Sequence, residues 1–181
     1  MAMDYGLWVI RFLHILSGVT WVGGAFLYSM VIAPRVLQRG PPPIRRPFLE
    51  AVLEPVTRYF YVAGVMTILT GFLVMGGIWG FDNISTQFQR SGYGTALGIG
   101  VIAALGMAAI GFGVIAPTGK KLLARMQAMP APAPGTPAAP PPPEVQAEMA
   151  AMGKRIGMMS MLVVLLGTVA LGAMAWAVVA R

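Results

Sequence analysis

Four long apolar runs separated by three polar connections organise the chain. A helix needs about 20 apolar residues to cross a hydrocarbon core of about 30 Å. The first run, from Leu7 to Ala33, exceeds that, and three more follow. The pattern predicts membrane-spanning helices over about 7–34, 58–80, 93–117 and 156–180. Within the first, Arg11, His14, Ser17, Gly18, Trp21, Gly24, Ala25 and Tyr28 recur at helical spacing as one stripe of small and polar residues. Val9, Leu13, Leu16, Thr20, Phe26 and Leu27 form the opposite stripe, which suits lipid. Polar groups in a membrane turn toward protein, and small residues let a neighbouring helix approach, so His14 is expected inside a bundle. Arg11 lies close enough to the end of its run to snorkel to the interface.

The connections carry their own signals. The first contains a GPPP run at 40–43 that breaks a helix, then a segment, 47–54, expected to form a short amphipathic turn before Pro55. The second, 81–94, is short and polar. After Pro117 the third helix is expected to continue beyond the membrane through Lys120, Lys121 and Arg125. A Pro/Ala-rich stretch, 130–143, then reads as an extended linker of polyproline type. Residues 144–155 favour helix and lead into the last span.

Charge fixes the expected orientation. Arg35, Arg39, Arg45, Arg46 and Arg58 in the first connection, with Lys120, Lys121, Arg125, Lys154 and Arg155 in the third, hold ten of the thirteen basic residues. The middle connection has Arg90. Basic connections stay on the cytoplasmic side, so both termini are expected outside. The N-terminal segment carries Asp4 where a cleaved signal would be basic, and its apolar run is too long for one; it is expected to be retained.

The two halves echo each other. VIAP occurs at 31–34 and 114–117, each time at the inner end of a span and before basic residues. ILTGFLVMGGIW, ending at Trp79, and LLGTVALGAMAW, ending at Trp176, take the matching outer ends. The second half is longer by the length of the run at 130–143. Two helical hairpins of like orientation, the second with an inserted linker, account for this.

Composition sharpens the class. Hydrophobic residues make up 57% of the chain and charged residues 10%, which fits one membrane domain over 1–181 with the lipid bilayer as its surroundings. The net charge of +7 could suit nucleic acid, but the basic residues sit between spans, where topology explains them, so no nucleic-acid partner is expected. There is no cysteine, which removes disulfides, iron–sulfur ligation and thiol chemistry. No carboxylate lies inside a span, which counts against proton-coupled transport. No phosphate loop, nucleophile elbow or zinc motif is present.

One imidazole therefore carries the candidate chemistry. His14 could ligate a b-type haem or copper, or hydrogen-bond within the bundle. Trp21 lies mid-span on the same stripe, and Arg11 and Tyr28 complete the candidate cofactor-binding set. No catalytic residue stands out. The fourteen methionines read as packing residues, and Trp8, Trp79 and Trp176 as an aromatic belt.

The pattern H-x2-S-G-V-x-W-V-G-G-x-F, from His14 through Trp21, Gly23 and Gly24 to Phe26, resembles the first helix of the copper resistance protein D-like superfamily. RYFYVAGVMTILTGFLV, from Arg58 to Val74, resembles its second helix. The resemblance covers about the first half of the chain and implies a four-helix unit tied to copper or haem, with His14 as the one ligand that carries over. Related groups include a membrane-bound protoporphyrinogen oxidase, which implies an alternative reading as an oxidoreductase. Those relatives need further His, Arg and Lys within their helices, and spans three and four lack them here.

The sequence thus reads as an all-α, four-span protein of a bacterial cytoplasmic membrane. Its expected role is a non-catalytic accessory subunit packed against other membrane subunits of a respiratory or photosynthetic complex. The alternative is a haem or copper protein using His14.

Overall fold

A computed structural model describes residues 4–38, 42–129 and 141–179. The described residues are overwhelmingly helical. Four helical segments, Tyr5–Val36, Ile44–Trp79, Gly92–Gln127 and Pro143–Ala177, are each long and apolar enough to cross a membrane.

The first begins as α1 (Tyr5–Phe26). The Asp4 carboxylate caps it by accepting from the Leu7 amide at 3.1 Å. It continues through π-helical turns at Leu27–Ile32 and Pro34–Gln38. Next come α2 (Pro42–Trp79), a 3-10 turn at Phe81–Asn83 and the short α3 (Ile84–Arg90). The third long segment is α4 (Gly92–Ile110), a π-helical turn at Gly111–Ile115, and α5 (Ala116–Gln127). The last is α6 (Pro143–Val179).

The two VIAP segments share a local device. Proline has no amide to donate, and its ring crowds the carbonyl four residues back. A π turn answers both by shifting the ladder by one residue. Just before each proline the amide reaches five residues back, Ala33 to the Tyr28 carbonyl and Ala116 to the Gly111 carbonyl.

Several expectations change. No turn ends before Pro55: α2 runs unbroken through Pro47 and Pro55. Packing outweighs the two lost amides there, because Leu49 is buried and Leu53 lies against Gly119 of α5. The continuation of the third helix past Pro117 and the helix over 144–155 are both present. Residues 40–41 of the expected break at 40–43 lie outside the described residues and 42–43 already begin α2; 130–140 of the expected linker also lie outside them. Gly94 and Gly98 lie against the second connection. The Gln87 carbonyl oxygen of α3 leaves no room for a Cβ at Gly94, and Gly98 faces the Phe88 ring. Trp79 is only half-exposed, because it packs edge-on to Phe88 and Tyr93.

At the centre all four segments meet. Trp21, Val22 and Ala25 of α1, Ala63 of α2, Met107 and Ala108 of α4 and Val163 of α6 form the buried cluster. Its alanines let the helix axes close in. Phe26, placed by periodicity on the lipid stripe, packs against this cluster instead. Within α1 it stands one turn beyond Val22, itself in the cluster, at ordinary i, i+4 spacing. The most extensive packing is of α1 on α2 and of α4 on α6.

Candidate functional site

The α1–α2 seam is built from side chains seated on glycines. Going down α1 and up α2, Leu7 meets Gly77, His14 meets Gly71, Trp21 meets Gly64, and Tyr59 meets Gly24. A Cβ added at any of these four glycines would come within 2.9 Å of the seated side chain. Each glycine is a socket that brings the two backbones together at a ring or a branched chain.

His14 occupies one socket. Its Nδ1 lies 2.9 Å from the Thr67 carbonyl oxygen and 3.4 Å from the Thr70 hydroxyl. A carbonyl only accepts, so Nδ1 carries the proton and donates. The Thr70 hydroxyl is already committed as a donor to the Met66 carbonyl at 2.5 Å, which leaves its lone pairs toward the ring. In the neutral ring Nε2 then holds the free lone pair. The imidazole is half-buried and faces α2, where the stripe on α1 places it.

The other candidates spread along the helix. Trp21 is 3% exposed and belongs to the central cluster, about 10 Å along the axis from His14 at helical rise. Tyr28 is half-buried one π turn further and meets Phe60 edge-on at 6.3 Å. Arg11 is exposed and makes no ion pair among the described residues. So His14, Trp21 and Tyr28 face protein on one side of the helix, and Arg11 points out of it.

Sequence reasoning did not assemble the partners. Thr67, Thr70 and Gly71 were visible as small and mildly polar residues on the second span; only the antiparallel register sets them opposite His14. Among the described residues no group of three His, Cys, Asp or Glu side chains converges to hold a metal ion. With a single histidine in the chain, the imidazole nitrogen left for a haem or copper is His14 Nε2.

A cavity lies below the cluster, on the side of the basic connections. Its inner chamber, about 110 Å³, is walled by Trp21, Tyr28, Phe60, Met107, Phe112 and Val163. An outer vestibule of about 580 Å³ reaches Arg45 and Gln146. Ser29, Leu49, Leu122, Ile156 and Ser160 line both, so the two are adjacent.

Comparison with family models, curated proteins and solved structures finds no match for the chain.

Proposed function

We propose that this is a small multi-pass protein of a bacterial cytoplasmic membrane, CopD-like in build, that serves as an accessory subunit of a larger electron-transfer complex. In this reading it forms two helical hairpins, α1 with α2 and α4 with α6, with both termini outside. The dominant packing of those pairs and the ten basic residues of the first and third connections support that arrangement.

The observation that carries the accessory role is Arg11. It lies inside the first span, faces away from the bundle, and has no acidic partner among the described residues. Beside it the exposed rings of Trp8 and Phe12 stack at 5.9 Å. A charged side chain at such a depth belongs against protein or at the interface. A neighbouring subunit that offers an acid or carbonyls to Arg11 and an apolar face to Trp8 and Phe12 satisfies all three.

Purification from the native membrane in mild detergent tests this. The account expects a larger assembly, and an Arg11→Gln, Phe12→Ala variant that loses the partner while keeping its helix content. Migration of the wild type as a free monomer under every mild condition overturns it.

One observation favours a second reading, a haem- or copper-binding protein. Ligating histidines characteristically donate their other ring nitrogen to a carbonyl, as His14 does to Thr67. Here the second ligand would come from the partner subunit. An absorption spectrum and metal analysis of the isolated complex, wild type against His14→Ala, decide it: no difference between the two removes this reading.

A further inference from the structure

We infer that the cavity on the basic side of the bundle holds one anionic amphiphile, its acyl end in the chamber between the two π turns and its headgroup in the vestibule at Arg45. Three independent features point there.

The first is the grading of the walls. The chamber is aromatic and aliphatic; the vestibule is mostly apolar too, but it adds Arg45 and Gln146, which the chamber lacks. The vestibule falls in the range of about 300–1,000 Å³ typical of ligand pockets.

The second is the state of the hydroxyls. Span hydroxyls elsewhere bond back to their own helix: Ser17 to Leu13, Thr20 to Leu16, Thr57 to Leu53 and Thr168 to Val164. Ser29 and Ser160, which line both compartments, make no hydrogen bond among the described residues, and neither does Tyr28 at the chamber wall. Three hydroxyls on the chamber wall, with bonding capacity to spare, suit the carboxyl or ester oxygens of an acyl chain.

The third is the glycines. Those of the α1–α2 seam are filled by a neighbour, whereas Gly111 in the chamber and Gly153 and Gly157 in the vestibule have nothing within 4 Å of an added Cβ. At these three positions glycine leaves space beside the cavity, whereas Gly119 on the chamber wall is met by Leu53 at 3.2 Å. The chamber is bounded on two sides by the π turns at Leu27–Ile32 and Gly111–Ile115.

The test uses Trp21, whose indole forms part of the chamber wall. Trp8, Trp79 and Trp176 are changed to phenylalanine, and the full chain in detergent is titrated with three bromine-labelled single-chain amphiphiles: a fatty acid, a lysophosphatidylglycerol and a lysophosphatidylcholine. Saturable one-to-one quenching by an anionic probe is expected, and whichever anion binds more tightly identifies the headgroup as carboxylate or phosphate. Gly111→Leu, and separately Ser160→Leu, should abolish saturable quenching with helix content unchanged. Arg45→Gln should weaken the anionic probe about fivefold and leave the zwitterionic one unaltered. Equal binding of all three probes overturns the anionic headgroup. Undiminished quenching in both folded chamber variants, or no saturable quenching in the wild type, overturns the site.

Discussion

Gly64→Ala puts the socket account of the α1–α2 seam at risk. A Cβ at Gly64 would lie 2.9 Å from Trp21 Cε2 and 3.0 Å from Phe112 Cζ. Real Cβ contacts are essentially never that short, so something must move. Trp21 cannot give way cheaply, since it is 3% exposed in the central cluster, and Phe112 is held in a tilted contact with Tyr61, centroids 4.5 Å apart. Overpacking of this kind costs about 1–3 kcal/mol. Alanine also gains about 1 kcal/mol over glycine in helix propensity. Gly23→Ala removes that offset as a control, because a Cβ there meets nothing within 4 Å. The two variants share the propensity term, so their difference reports the socket alone, about 1–3 kcal/mol in favour of Gly23→Ala. Reversible unfolding in mixed micelles, followed by Trp21 fluorescence and helix content, measures both. Equal stabilities for the two variants would refute the packing argument.

Other expectations follow from the same contacts. His14→Leu removes one interhelical hydrogen bond but leaves the Thr67 carbonyl its helical donor; a loss of about 0.6–1.7 kcal/mol is expected in the same assay, and a neutral result would mean the bond contributes nothing. Arg125 and Glu148 join α5 to α6 at 3.2 Å, but both are well exposed, so Glu148→Gln should cost under about 1 kcal/mol and the difference should vanish in high salt. Pro117→Ala restores an amide and removes the ring that displaces the Gly113 carbonyl; the 111–115 turn should relax toward α-helix, seen as altered amide shifts there and weaker amphiphile quenching of Trp21. Unchanged shifts would mean that proline does not set the π turn.

Long apolar runs made the four helices legible, because the length needed to cross a membrane is nearly independent of tertiary context. The facing of His14 was legible too, since a stripe of small and polar residues has one sensible direction in lipid. Pro55 misled, because a local breaker signal carries no record of Leu49 and Leu53 packing around it. Phe26 misled for another reason: it stands one turn beyond Val22, whose burial in the central cluster the stripe of small and polar residues did not show. VIAP was visible as a repeated word, yet its meaning as a pair of π turns needed the ladder of amides. The partners of His14 were beyond reach, because Thr67 and Thr70 face it only through the register of two helices. The cavity was equally hidden, since a glycine that fills a socket and one that keeps space open look alike in sequence.

The frame under all of this is four crossings with the basic connections on one side, and the chain's lack of cysteine makes it directly testable. Single cysteines at Asp4, Asn83, Arg46 and Ala151 are exposed in turn to a membrane-impermeant maleimide on intact cells. The account predicts labelling of Asp4→Cys and Asn83→Cys, and of Arg46→Cys and Ala151→Cys only after the membrane is opened. Labelling of Asn83→Cys and Arg46→Cys from the same side would contradict it.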